Sequence, residues 1–137
     1  MKTVYKLEAQ DCNGAKECEK FLIGFFSSTE ICEKTEMRYK ELPGFSNKLC
    51  RFIRIAYPFD VSSIPAIVYY VSEASYSDEV DDAEIGLFLN EKEATVAMRD
   101  YIEEHYHGIV PDCTEVCIDK YLIDKGYWSE GFSEVAE

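Results

Sequence analysis

The sequence predicts an α+β fold built from two copies of a strand-strand-helix-strand unit, packed with pseudo-twofold symmetry. Three observations favour this fold. Short apolar runs recur in the same order in both halves of the 137-residue chain, a capping-box sequence precedes a helical pattern in each half, and a proline-containing segment separates the halves. We expect residues 1–57 and 67–137 to be the two units, residues 58–66 to connect them, and the whole to be one compact domain of mainly antiparallel sheet with two helices.

The first half opens with two predicted strands. Residues 4–9 alternate, with Tyr5, Leu7 and Ala9 on one face and Lys6 and Glu8 on the other. An Asn13-Gly14 pair then predicts a hairpin turn, since this dipeptide suits the tight turns that join antiparallel strands. The nearly continuous apolar run at residues 21–26 predicts the returning central strand.

A helix and a third strand complete the first half. Ser27 is the expected N-cap, with Glu30 closing a capping box. The helix is expected to reach about Leu42 and to end at Pro43-Gly44. Residues at helical spacing predict its buried stripe, with Glu33, Glu36 and Lys40 facing water: Ile31, Thr35, Tyr39 and Leu42. A third strand is predicted at residues 49–55.

The second half repeats this order at an offset of roughly 62 to 67 residues. Residues 68–71 match residues 4–7, and residues 85–88 match residues 23–26. Asn90 with Glu93 repeats the capping box, and residues 116–118 open the counterpart of the third strand. The matching helical stripe contains Ala94, Met98, Tyr101 and His105. Duplication therefore explains the pattern, and each half alone offers too small a sheet to bury both faces.

The charge is distributed very unevenly. The chain carries a formal net charge of −13. Residues 1–63 contain 10 Lys/Arg and 9 Asp/Glu, whereas residues 64–137 contain 4 and 18, so the second half accounts for −14. An acidic protein of this kind is not expected to bind nucleic acid directly, because phosphate binding requires clustered Lys and Arg. A basic partner fits better.

The C-terminal run from Cys117 to Phe132 contains Asp124-Lys125, two further residues, and then Trp128-Ser129-Glu130-Gly131-Phe132. This ending resembles that of a group of small uncharacterised bacterial proteins. The passage at residues 41–45 also resembles the helix-to-loop passage of that group, and together the two cover about a third of the chain. The resemblance implies a strand-strand-helix-strand unit and carries no activity. Trp128 and Phe132 are interpreted as a structural lid over a sheet edge or the seam between halves.

The sequence gives only weak indications of a catalytic or metal-binding site. His105, His107, Cys113 and Cys117 are zinc-ligand types without a standard finger spacing. Cys12 and Cys18 flank the first hairpin, but no secretory signal is expected, so the cysteines are expected to be reduced thiols in the cytoplasm. The sequence has neither a nucleophile elbow nor a glycine-rich phosphate loop. We therefore expect no enzyme activity, no cofactor and no bound metal.

An acidic segment at residues 75–84 is the strongest functional feature. It lacks the glycine and the alternating order of a calcium loop, and it takes the place of the Asn13-Gly14 hairpin in the second half. We expect its carboxylates, extended by the start and end of the second helix, to imitate phosphates in front of a basic groove. The predicted partner-binding residues are Asp78, Glu79, Asp81, Asp82, Glu84, Glu91, Glu93, Glu103 and Glu104.

The leading hypothesis is a non-enzymatic acidic binding or inhibitor protein. It engages a basic protein surface, such as that of a nucleic-acid-binding protein, by analogy with anti-defence inhibitors. The alternative is a structural or small-molecule-binding module with its ligand between the two halves, and the third is a Cys/His metal-dependent enzyme. No membrane segment is expected, because no run reaches the ~18 apolar residues of a span. The protein is expected to be a monomer or a homodimer.

Overall fold

A computed structural model describes residues 1–11, 19–46, 50–75 and 83–128. Nine elements follow one another in these ranges, and the order strand, strand, helix, strand occurs in both halves. They are β1 (Lys2–Asp11), β2 (Glu19–Phe26), α1 (Thr29–Lys40), α2 (Pro43–Ser46), β3 (Cys50–Phe59), β4 (Ile67–Ser75), β5 (Ala83–Phe88), α3 (Glu91–Tyr106) and β6 (Thr114–Leu122). The fold is α+β, as the sequence predicts.

The strands form two separate antiparallel sheets with the same order. One sheet has the order β2-β1-β3 and the other β5-β4-β6, so the first strand of each half lies in the centre. Each half also contributes one long helix, and the first half adds the single-turn α2. The duplicated layout of strand, strand, helix and strand is thus confirmed.

A β-bulge repeats at the same place in both sheets. Leu7 pairs with Gly24 and Glu8 with Leu22, which leaves Ile23 as an extra residue in β2. In the second sheet Val71 pairs with Gly86 and Ser72 with Glu84, so Ile85 is the extra residue. A bulge twists and bends its strand, and its recurrence at an Ile-Gly pair fixes which residues of the two halves correspond.

The chain divides into two compact units that are not equal halves of the sequence. The first unit comprises Met1–Ile64 and Leu122–Glu137, and the second comprises Pro65–Tyr121. Residues 123–128, which follow β6, therefore pack with the first unit, although they come after the second in the chain. The predicted boundaries include these residues in the unit 67–137.

The core of the first unit lies between its sheet and α1. The stripe predicted for α1 is present in part, since Thr35 and Tyr39 are buried, while Cys32 replaces Ile31 as the third buried residue of the helix. Aromatic side chains from β2, α2 and β3 surround this core. Lys6, on the opposite face of β1, is only 4% exposed and lies 3.4 Å from Glu8, so that face is covered as well.

Several predicted boundaries are wrong for identifiable reasons. The N-cap of α1 is Ser28, whose hydroxyl accepts a hydrogen bond from the Ile31 amide, because Ser27 is bound elsewhere. Pro43 begins α2, a position where proline is well suited to a helix, and the main helix ends at Lys40. β3 continues through Pro58 to Phe59. Proline is tolerated there because β3 is an edge strand.

The remaining predictions include one that is confirmed, one that is wrong and several that concern residues outside the described ranges. Asn90 caps α3 by accepting a hydrogen bond from the Glu93 amide at 2.8 Å, as expected. Glu36 does not simply face water, since its carboxylate accepts a 2.6 Å hydrogen bond from Arg54. The Asn13-Gly14 turn, the residues 76–82 of the acidic segment, and Phe132 lie outside the described residues.

Candidate functional site: the acidic face of the second unit

Acidic charge is concentrated in the second unit. Pro65–Tyr121 contains 14 Asp/Glu and 3 Lys/Arg, a net charge of −11, which leaves −2 for the rest of the chain's −13. The ion pairs Lys6–Glu8, Arg54–Glu33 and Arg54–Glu36 join side chains of the first unit. The second unit carries most of the chain's net negative charge.

The structure places the predicted site residues in three groups. Asp78, Glu79, Asp81 and Asp82 lie outside the described residues. Glu84 is exposed on β5, where its carboxylate accepts a 3.0 Å hydrogen bond from the Tyr70 hydroxyl. The remaining four are all exposed on α3 and make no ion pair with a described residue: Glu91, Glu93, Glu103 and Glu104.

The helix gathers three of these carboxylates on one side and adds a fourth that the sequence analysis missed. Glu93, Asp100 and Glu104 are separated by seven and four residues, which places them in line along the helix, and Glu103 lies beside them. All are exposed. We call Glu93, Asp100, Glu103 and Glu104 the α3 acidic face. Helical periodicity applied to the charged positions, in addition to the apolar ones, is the signal that would have identified Asp100.

Glu91 belongs to a different side of the helix. It lies two residues before Glu93, and residues at that spacing do not face the same direction. The acidic face extends about 16 Å along the axis, because eleven residues separate Glu93 from Glu104 and each adds about 1.5 Å. Val96, 48% exposed, lies three residues after Glu93 and supplies an apolar side chain on the same side.

The two long helices differ in the charges of the residues at their ends. α1 has Glu30 in its first turn and Arg38 and Lys40 in its last turn, which matches the positive N-terminal and negative C-terminal ends of the helix dipole. α3 also has acidic residues in its first turn, but Glu103 and Glu104 lie at its C-terminal end. A carboxylate there is repelled by the dipole, so helix stability does not explain these two residues.

A buried carboxylate on β4 accepts hydrogen bonds from two tyrosines of α3. Glu73 on β4 is only 7% exposed, and its two oxygens accept hydrogen bonds from the hydroxyls of Tyr101 (2.8 Å) and Tyr106. Burial, together with the bond to Glu73, raises the pKa of Tyr101 to about 12. The hydrogen bond to Glu73 also raises the pKa of Tyr106. Both phenols are therefore protonated donors at neutral pH, and they satisfy a charge that would otherwise be costly to bury.

The Cys/His set considered for zinc is dispersed. His105 stacks on Tyr101 with ring centroids 4.0 Å apart, and its Nδ1 lies 3.1 Å from the Tyr101 carbonyl oxygen. Within the described residues, no three His, Cys, Asp or Glu side chains come together as metal ligands. Burial raises the pKa of Cys117, and that of Cys32 to about 11, so these two thiols carry less thiolate than a free cysteine.

The tail packs against the first unit and forms the other notable site. Residues 123–128, here called the tail segment, run along the outer edge of β2, and Ile123 forms a parallel bridge with Phe25. The amides of Asp124 and Tyr127 donate to the carbonyls of Phe25 (2.8 Å) and Ile23 (2.6 Å).

Side chains of the tail segment also hold it against the first unit. The Asp124 carboxylate accepts hydrogen bonds from the Ser27 amide and hydroxyl, both at 2.8 Å. Trp128 stacks on Phe21 with centroids 4.0 Å apart and meets the edge of Phe45 at 5.4 Å. Trp128 thus packs against the core of the first unit beside β2, whereas Phe132, the other residue of the predicted lid, lies outside the described residues.

No protein-family model matches the chain, and comparison with curated proteins and with solved structures finds no significant match. Among the described residues, no helix combines the length and the apolar composition needed to cross a membrane.

Proposed function

We propose that the protein is a non-enzymatic acidic binding protein whose second unit engages a basic surface of a partner protein. The observation that carries the proposal is the α3 acidic face, which holds four exposed carboxylates on one side of a helix in a unit of net charge −11. The proposed setting is the cytoplasm, and the partner class is a basic protein such as one that binds nucleic acid.

Two electrostatic costs of the unbound protein favour binding to a basic surface. Repulsion among like charges disfavours the compact state, and two carboxylates at the C-terminal end of α3 oppose the helix dipole. These costs are offset when a basic surface approaches, because its Lys and Arg side chains neutralise the face and steer the encounter. A rigid helix also fixes the carboxylate spacing, so ordering the side chains on binding costs less entropy than ordering a loop.

A charge-matched comparison tests the proposal. The triple variant Glu93→Gln/Asp100→Asn/Glu104→Gln removes three of the four charges of the α3 acidic face, and Glu30→Gln/Glu33→Gln/Glu41→Gln removes the same charge from exposed positions in the first unit. The three proteins would be used as baits in a lysate of the source organism. The bound proteins would be identified by mass spectrometry, and the binding of each purified candidate would be measured.

The expected partner has a basic surface, binds the unaltered protein and the first-unit variant alike, and binds the α3 variant at least about tenfold more weakly. Its association rate should fall steeply as salt is added, because the steering is electrostatic. Equal retention of every partner by all three baits would contradict the proposal.

A further inference from the structure

The outer edge of β5 is the counterpart of the β2 edge that the tail segment covers. The repeated bulge makes Ile85 equivalent to Ile23, Gly86 to Gly24 and Leu87 to Phe25. In the first unit the carbonyls of Ile23 and Phe25 accept hydrogen bonds from the tail segment. By the same register, the carbonyls of Ile85 and Leu87 point away from β4, on the outer side of an edge strand.

Burial shows the difference between the two edges. Ile23 and Phe26 are 0% exposed under the tail segment, whereas their counterparts Ile85 and Phe88 are only partly buried. No backbone hydrogen bond from a described residue outside the sheet reaches β5. An edge strand with free carbonyls is a template for pairing with another chain.

Gly24 and Gly86 also show that the β2 edge is covered and that the β5 edge is not covered by a described residue. A Cβ at Gly24 would collide with the Lys125 carbonyl oxygen of the tail segment, so glycine permits that close approach. A Cβ at Gly86 would meet only the ring of its own neighbour Phe88, at 2.9 Å. The path that the tail segment follows over Gly24 is therefore open over Gly86 among the described residues.

A second copy of the tail segment does not suit this edge. In the first unit Ala9 pairs with Phe21, which provides the stacking surface for Trp128. The corresponding pair in the second unit is Glu73 and Ala83, so the aromatic platform is absent there. Tyr101, the counterpart of Tyr39, already donates its hydroxyl to Glu73 and cannot hold a tail carbonyl as well.

The negative charge around the β5 edge favours a basic segment as its binding partner. The edge belongs to the unit with a net charge of −11, with Glu84 on the strand and Glu91 and Glu93 in the first turn of the helix that follows it. We infer that β5 binds an extended, Lys- or Arg-bearing segment of a partner protein as an added parallel strand, in the way that β2 binds the tail segment. This inference rests on the proposed function and specifies how the basic partner is held, since backbone pairing supplies affinity and side chains supply specificity.

The test uses the full-length protein and a fluorescein-labelled peptide of alternating lysine and valine. Two further peptides have the same charge. One is N-methylated at alternate backbone nitrogens, so one edge of the extended peptide can still donate hydrogen bonds. The other is N-methylated at every backbone nitrogen, so neither edge can donate. Binding would be measured by fluorescence anisotropy, and carbonyl carbon shifts would be followed at Ile85 and Leu87, with Ile23 and Phe25 as covered controls.

The unmethylated and alternately methylated peptides are expected to bind alike, and the fully methylated peptide at least about tenfold more weakly. Shifts are expected at Ile85 and Leu87 and not at the control pair. Equal binding of all three peptides, shifts confined to other residues, or no binding at all would overturn the inference.

The α3 triple variant separates this inference from the proposed function. If methylation has no effect but Glu93→Gln/Asp100→Asn/Glu104→Gln weakens binding, the edge inference fails and the acidic binding surface stands. If methylation matters but the variant binds as tightly as the unaltered protein, the edge inference stands and the α3 acidic face is not the binding surface.

Discussion

The hydroxyl of Tyr39 donates a 2.7 Å hydrogen bond to the carbonyl oxygen of Tyr127, which ties the end of α1 to the tail segment. Tyr101 lies at the corresponding place in α3, since each tyrosine lies 11 positions after its N-cap, at 28 and 90. Its hydroxyl donates to Glu73 instead. One position of the duplicated unit thus holds a chain segment in the first copy and a buried carboxylate in the second.

Replacing Tyr39 by Phe should weaken the attachment of the tail segment without opening the core. The ring stays packed, but the Tyr127 carbonyl loses its donor, so the free energy of unfolding is expected to fall by about 1 kcal/mol. Urea unfolding measures this change, and limited proteolysis should cut the tail faster. The control is Tyr5→Phe, because the Tyr5 hydroxyl has no hydrogen-bond partner among the described residues; an equal loss in both variants would show that the tail contact contributes nothing.

Alanine at Gly24 should be more destabilising than alanine at Gly86. The methyl group at position 24 would collide with the Lys125 carbonyl, which belongs to backbone, and strain of this kind costs about 1–3 kcal/mol. At position 86 it meets only the half-buried Phe88 ring, which can move aside. Thermal unfolding of the two variants gives the comparison directly, and equal costs would contradict the assigned tail path.

The hydrogen bond from Tyr101 to Glu73 should make the free energy of unfolding depend on pH in the alkaline range. The pKa of Tyr101 is raised from 10.0 to about 12 in the folded state, so the folded protein keeps a proton that the unfolded chain loses. The contribution of Tyr101 is therefore fully present below pH 10 and is lost as the pH rises towards 12. Tyr101→Phe should flatten this decline and remove a late step from the tyrosinate absorbance titration, whereas Tyr5→Phe should leave the late step unchanged.

The cysteines should differ in their reactivity. Cys113 is an exposed free thiol, whereas Cys32 is buried and its pKa is raised to about 11, chiefly by burial. Because the thiolate is the reactive form, iodoacetamide is expected to modify Cys113 well before Cys32 in the native protein. Peptide mapping by mass spectrometry distinguishes the two sites, and labelling in urea should abolish the difference.

Neutralising the C-terminal end of α3 should stabilise the protein while weakening partner binding. Glu103→Gln/Glu104→Gln removes two charges that oppose the helix dipole, and each is worth about 0.3–1 kcal/mol at such a position. Urea unfolding measures the gain, and Glu91→Gln/Glu93→Gln, at the N-terminal end of the same helix, should instead lower the free energy of unfolding. A loss of stability in the first pair would remove the argument that these carboxylates serve binding.

Local sequence signals predicted most of the fold. The apolar runs and capping sequences identified the order of strands and helices in both halves, and Asn90 caps α3 as expected. The errors arise from distant contacts. Ser27 was expected to cap α1, but it is held by Asp124, 97 residues away, and no local pattern reveals such a partner.

The candidate site was predicted less completely than the fold. The acidic residues of α3 were found from composition, but Asp100 was missed because composition alone does not show which charges share a helical face. Glu73 was not recognised as a buried charge, since its donors Tyr101 and Tyr106 lie on another element, 28 and 33 residues away. The repeated bulge at Ile23 and Ile85 was also missed, as strand pairing determines it.

The tail segment has a consequence for the order in which the protein matures on the ribosome. The strands and helices of the first unit are synthesised first, but the segment that closes the edge of β2 is made only after the entire second unit, which is inserted between the two parts of the first. During synthesis β2 therefore remains an open edge until residues 122–128 emerge. Among the described residues, the nascent chain therefore passes through a period in which β2 and β5 both have an unpaired outer edge, and the tail segment later closes the edge of β2.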